Sequence, residues 1–269
     1  MDLEQNRYAI REVASITGVK PVTLRAWQRR YNLLQPQRTD KGHRLYTDND
    51  IEQIKLVQSW LAKGVSIGKV KQLLDDQNLL VEGVDSEQLQ EVDWLLEALS
   101  TLDGKKVEEI IAVVLKEYPL DIVEQQFILP SLSSIDLVKA GRQVLQASLF
   151  KTTLIRQISV ALKSLDKSAS KHRHLFVNVD SSGHPIAWIR CMQRAENGDR
   201  MILLDGIEDL SALCSQDIAQ GYHSLELFSE RPLTEKQLSV VAMPVNQFYS
   251  DVRLSPMIQH WVDHWRQQR

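Results

Sequence analysis

A change of hydrophobic rhythm near residue 167 divides the chain into two kinds of architecture. Up to Leu165 the apolar residues recur at three- and four-residue steps, the spacing of one face of a helix. Past the stretch Lys167-Ser168-Ala169-Ser170-Lys171 they gather into short runs instead. Residues 175–179, 201–204, 225–228 and 238–243 read as strands; 186–194 (opened by Pro185), 210–219 and 256–266 read as helices. Strands alternating with helices imply a flavodoxin-like (Rossmann-type) parallel sheet with helices on both faces. The expected fold is therefore mainly α with an α/β C-terminal part.

Charge divides the chain differently. The whole carries a net −3, but residues 1–74 hold 13 Lys/Arg against 7 Asp/Glu, a net of +6, leaving −9 for the remainder. A basic head on an acidic body points to a polyanion partner for the head alone. The longest apolar run, 110–115, is far shorter than the roughly 20 residues of a membrane-spanning helix. The first residues are acidic and polar, unlike a signal peptide. Together with only two cysteines, Cys191 and Cys214, this leads to an expectation of a cytoplasmic protein without a membrane segment, disulfide framework or zinc cluster.

Within the head, Ile10, Val13, Ala14 and Ile16 form one apolar stripe that stops at Gly18. Val22, Leu24, Trp27 and Tyr31 can line a second helix, leaving Thr23, Arg25, Gln28 and Arg29 on its other sides. Two short helices joined by a glycine-containing turn resemble a helix-turn-helix, a motif whose second helix enters the major groove. Gln37-Arg38 and Arg44-Leu45-Tyr46 read as two short strands around the turn-rich tip 39–43, a β-wing. Thr47 and Asp50 make a capping-box start for a helix with Ile51, Ile54, Val57 and Leu61 inside. Ser66 caps another, from which Lys69 and Lys71 can reach phosphates.

The strings 8-YAIREVA-14, 22-VTLRAWQRRY-31 and 37-QRTDKGHRLY-46 together resemble the winged helix-turn-helix of MerR-type transcriptional regulators, in unbroken order over about residues 8–75. The resemblance is closest to the branch with a cobalamin-binding-like C-terminal part. It implies recognition-helix contacts to DNA from Thr23, Arg25, Trp27 and Arg29, wing contacts from Arg38, His43 and Arg44, and a phosphate contact from Lys69. Trp27 has a competing place in the core. The resemblance also implies a homodimer that binds double-stranded promoter DNA, distorts it for RNA polymerase, and takes its signal through the body, with a regulatory protein as one candidate partner.

The expected division is a DNA-binding head at 1–75, a linker at 76–85, a helical bundle at 86–166 and a degenerate cobalamin-binding-like α/β domain at 167–269. Stripes through Leu89–Leu99 spacing and 107–115, a segment from Ile122 to Pro130 and a long helix over about 134–165 build the bundle. Gly104 and two prolines argue against one long coiled coil. Corrinoid binders of the branch carry D-x-H-x-x-G, whereas this chain reads Asp180-Ser181-Ser182-Gly183-His184-Pro185, and the bundle motif W-x9-E-H is missing, Val138 and Ser148-Leu149 standing at its approximate register. No cofactor and no metal are expected, although His172, His174 and His184 are the available cobalt ligands.

No P-loop, G-x-G-x-x-G, G-x-S-x-G or H-E-x-x-H motif occurs, so an enzyme is not expected. Asp180 and Asp205 end strands, where turn-forming carboxylates are common. His260, Trp261, His264 and Trp265 fit an amphipathic terminal helix. Two other functions stay open at this point: an antirepressor acting through protein contacts, and a cobalamin-dependent light sensor.

Overall fold

The computed structural model describes residues 6–39, 42–75, 88–166, 169–242 and 249–267. The expected linker at 76–85 lies outside them. Two compact units are present, Met1–Phe150 and Lys151–Arg269.

The first unit opens with β1 (Tyr8–Ala9), α1 (Ile10–Thr17), α2 (Pro21–Tyr31), β2 (Gln37–Arg38), β3 (Arg44–Tyr46), α3 (Asp48–Ala62) and α4 (Ile67–Asp75). Gly18 ends α1 in the left-handed region at φ 73°, which only glycine adopts without strain. Pro21 starts α2 at a position where its missing N–H costs nothing. The wing is a three-stranded antiparallel sheet, order β1-β3-β2. Tyr8–Ala9, too short to leave a periodic signal, supplies its third strand. Val13, Leu24, Trp27, Tyr46, Ile54, Val57 and Leu61 fill the core of the head.

A helical block follows: α5 (Gln90–Ser100), α6 (Gly104–Glu117), α7 (Leu120–Ile122), α8 (Leu129–Asp136) and α9 (Ala140–Asp166). Between α7 and α8 the chain is wound as a π-helix over Val123–Ile128. Pro130 therefore does not end the helical run, as the sequence suggests. It sits in the first turn of α8, where the wider turn removes the need for its N–H. The single long helix expected from residue 134 is broken at Leu137, which is 89% exposed and unable to hold the two pieces together by packing.

The second unit carries β4 (Arg173–Asn178), α10 (Pro185–Glu196), β5 (Arg200–Asp205), α11 (Gln216–Ala219), β6 (Ser224–Phe228), α12 (Glu235–Ala242), β7 (Asp251–Leu254) and α13 (Pro256–Gln267). The four strands are parallel in the order β5-β4-β6-β7, the doubly wound arrangement of flavodoxin-like sheets. Leu175, Val177 and Val179 face a core shared with Leu238, Val241, Ile258 and Val262. Phe176 points to the opposite side and stacks on Phe228 at 6.3 Å.

Three expectations change. Residues 238–242 are helix, not strand: Leu238, Val241 and Ala242 are buried at helical spacing, and Thr234 and Gln237 cap each other's backbone N–H reciprocally. Met243 lies outside the described residues. The helix expected over 210–219 is split at Ser215 into a 3₁₀ turn, Ser211–Cys214, and α11. The polar edge strand β7 has no counterpart in the sequence-based reading.

Thr47 opens α3 with its hydroxyl accepting from the Asp50 N–H at 3.3 Å, while the Asp50 carboxylate accepts from the Thr47 N–H at 2.8 Å. Thr47→Ala is expected to cost about 1 kcal/mol, read as a lower urea midpoint with unchanged slope.

Candidate nucleic-acid interface

The exposed side of α2 carries Val22, Arg25 and Arg29, with Arg30 also exposed near its end; Val22, expected on the buried side, is 43% exposed, because the core takes Leu24 and Trp27 from that helix instead. The wing is fastened to this helix by Arg44, whose Nε donates to Gln28 Oε1 at 2.7 Å. At the wing tip the Gly42 N–H donates to the Thr39 carbonyl at 2.7 Å, and Gly42 adopts φ 80° to close the turn. His43 follows it, exposed. These elements converge on an open cleft of about 390 Å³, lined by Ile10 and Arg11 of α1, Arg25 of α2, and Gly42, His43 and Arg44 of the wing. Arg38 lies directly across the ribbon from Arg44. Two cations in facing register repel unless an anion lies between or beside them. Burial pushes the Tyr46 phenol up, and the nearby Arg44 and Arg25 guanidiniums pull it back. Positive charge from helix and wing is thus focused on one place, a fit to a phosphodiester backbone with base edges within Arg reach.

Sequence reasoning missed Arg11 as part of this cleft and Gln28 as the residue that fastens the wing beside it. Arg11 follows the first strand by two residues, and only the pairing of Tyr8–Ala9 with the wing brings it there. Lys69 is exposed in the first turn of α4, and borders a separate concavity with Ser66 and Asp93. The structure does not bring it to the main cleft.

Thr23 and Trp27, expected on the DNA-contacting surface, face inward, because α6 packs along that side of α2. Thr23 is 1% exposed and its hydroxyl donates to the Lys116 carbonyl at 3.1 Å. Trp27 is fully buried and its indole N–H donates to the Glu117 carbonyl at 2.8 Å. The Glu117 side chain, itself fully buried, accepts from Arg30 and from the Tyr31 hydroxyl. Burial, followed by the bond to Glu117, raises the Tyr31 phenol well above its ordinary range. Behind this contact Tyr118 donates to Glu91 at 2.7 Å and accepts from the Ile67 N–H at the start of α4. Burial raises the Glu91 carboxyl, against the Tyr118 bond that favours its charge. Nothing in hydrophobic periodicity marks a buried glutamate, so Glu117 was invisible from the sequence.

In the α/β unit the strand-end carboxylates act as staples between loops. Burial pushes the Asp180 carboxyl up, but the Glu230 N–H (2.7 Å), the Ser229 hydroxyl (2.7 Å) and Arg231 Nε (3.0 Å) outweigh it and hold it below the usual range. Asp205 is likewise held down, against burial, by Asn178, the Gly183 N–H, Ser182 and Trp188. A side chain at Gly206 would approach Ser182 to 2.9 Å, so these two loops touch. The residues here do not fit a cobalt ligand set. Ser182 stands where the corrinoid motif has histidine, and its hydroxyl is committed to Asp205. His184 is two positions further on, against Phe228 and 3.4 Å from Glu230. His172 and His174 lie at the other end of the sheet, where His174 pairs with Ser224 at 2.7 Å. Among the described residues no group of His, Cys, Asp and Glu has the geometry to hold a metal ion, and no helix is long and apolar enough to cross a membrane.

Comparison with known proteins agrees with the head's geometry. The family described as MerR HTH family regulatory protein matches residues 8–77. The chain is 38% identical over 164 residues to the HTH-type transcriptional regulator MlrA of Escherichia coli K12, covering 61% of this chain and 66% of that protein. It is 36% identical over 85 residues to the HTH-type transcriptional repressor CarH of Myxococcus xanthus, covering 32% and 27%. It is 27% identical over 157 residues to the repressor CarA of the same organism, covering 57% and 53%. The matches thus span less than two thirds of each of these relatives.

Because Asp180 is held below its unfolded value near 3.9, its stabilising contribution is complete above that value and is lost as pH falls through the folded one. Asp180→Asn is expected to be less stable at neutral pH and to lose less stability than the wild type on acidification below about pH 4. Urea denaturation over a pH series checks this.

Proposed function

We propose, from the premise that residues 8–77 are a MerR-family helix-turn-helix domain, that this chain is a transcriptional regulator that binds double-stranded promoter DNA. The observation that carries this reading is the convergence of Arg25 from the helix with His43 and Arg44 from the wing on one cleft. Arg25 and Arg29 read base edges in the major groove, where arginine bonds guanine bidentately. Arg38, His43 and Arg44 hold the flanking backbone or minor groove, and Lys69 takes a phosphate further along. Thr23 and Trp27 contribute from behind, by fixing the helix.

A homodimer places two such helices in successive major grooves, roughly 34 Å apart. Bending or untwisting the DNA between them costs on the order of 1–6 kcal/mol, repaid by the wing contacts, and brings promoter elements into register for RNA polymerase. The helical block and α/β unit receive the signal. Their residues lack a cobalt ligand at the motif position, which supports loss of cobalamin binding and a protein as the source of that signal. The names of the relatives, regulator and repressor, support the class and leave the sign of regulation to experiment.

Arg25→Ala is expected to cost about 1–3 kcal/mol and to relax base preference at one position, whereas Lys69→Ala weakens binding to all sequences and reduces the salt slope by about one. Titration of labelled duplexes at several salt concentrations measures both. An Arg25→Ala chain with unchanged affinity and preference would contradict the assignment.

A further inference from the structure

We propose that Gln28 is a positioning residue of the nucleic-acid interface: by holding Arg44 at one nitrogen, it keeps the rest of that guanidinium turned toward a phosphate. This inference rests on the DNA-binding reading above and adds to it a residue that acts without touching a nucleotide. Gln28 shares the open side of α2 with Arg25 and Arg29, since at about 100° per residue the three fall within one narrow sector of the helix. It is half-buried, and its Oε1 accepts from Arg44 Nε at 2.7 Å. Among the described residues no other hydrogen bond joins α2 to the β2–β3 ribbon.

An arginine carries several N–H donors in a fixed fork, and that fork matches the oxygens of a phosphate. With Nε taken by Gln28, the terminal nitrogens of Arg44 remain, and Arg44 lines the cleft together with Arg11, Arg25 and His43. No acid pairs with it among the described residues. The amide that holds it is neutral, so the whole positive charge stays in place. Two effects work against that placement. Arg38 stands directly across the ribbon from Arg44, and like charges in facing register push apart. A long side chain left to itself also loses rotamer freedom on binding, which weakens the complex. The bond to Gln28 opposes both before DNA arrives, which is preorganisation. The ribbon does not need this bond in order to form, because β3 pairs with β1 on one side and β2 on the other, and Tyr46 at its end is fully buried. What the bond determines is where the charge of Arg44 sits.

The test measures binding of the full chain to a random-sequence duplex over a salt series, for wild type, Gln28→Met, Arg44→Ala and the double variant. Gln28→Met keeps the length of the side chain and removes the amide oxygen. Arg44→Ala is expected to weaken binding several-fold and to lower the salt slope by about one. Gln28→Met is expected to weaken binding several-fold as well, and the double variant to bind as Arg44→Ala does, because a residue that acts only through Arg44 has nothing left to lose once Arg44 is gone. Base preference, read by selecting duplexes from a random pool, stays that of the wild type in Gln28→Met. Three results would each overturn the proposal: Gln28→Met that binds like the wild type, losses that add in the double variant, or a preference changed at one base position. The last would make Gln28 a reader of base edges instead. Should Gln28→Met melt far below the wild type, Gln28→Ala, which removes the same oxygen without refilling its space, replaces it with the same criteria. A wild-type chain that binds no duplex even at low salt overturns the DNA-binding reading itself, a result distinct from failure of the positioning role alone.

Discussion

The buried carboxylate of Glu117 is the point on which the first unit turns. A fully buried glutamate must be paired or neutralised, and here it is paired by Arg30 and Tyr31, both from α2. That requirement ties the head to the helical block more specifically than apolar packing could. Hydrophobic contacts tolerate sliding, whereas a carboxylate with two charge-assisted donors fixes distance and angle. The same helix end also settles Thr23 and Trp27, so the orientation of α2 is set from behind while Arg25 and Arg29 remain open in front.

The open face depends on a second, smaller linkage. Gln28 holds Arg44, and through it the wing, against α2. Three elements distant in sequence, α1, α2 and the wing, then present their cations to one cleft. The opposed Arg38 and Arg44 are an internal cost of that arrangement, and the natural relief of such a cost is an anion. The proposed DNA binding is an electrostatic consequence of how two short helices and a ribbon pack, and in that reading the acidic remainder of the chain would keep DNA on the basic head.

Much of this was legible in the sequence because the head is locally encoded. Gly18, Pro21, the Thr47–Asp50 box and the paired runs at Gln37-Arg38 and Arg44–Tyr46 each state their own geometry, and the elements fall where those signals place them. The resemblance to MerR-type heads follows from that order. What was not legible is everything that depends on contact between distant segments. Trp27 at helical spacing is compatible with core or with DNA, and only α6 decides. Glu117 reads as the polar end of an amphipathic helix until its partners are in place. In the α/β unit, the apolar run at Leu238 reads as strand when weighed alone, although the Thr234-x-x-Gln237 cap before it carries the contrary signal. Asp180 and Asp205 were visible as strand-end residues, while their roles as loop staples belong to the tertiary structure.

The central claim, that a basic cleft shared by helix and wing binds a specific duplex, is tested most directly by selecting bound duplexes from a random pool with the purified full chain and sequencing them. The account predicts enrichment of an inverted repeat whose half-sites lie about one helical turn apart. A pool that emerges unenriched, at salt concentrations where binding is retained, would contradict it.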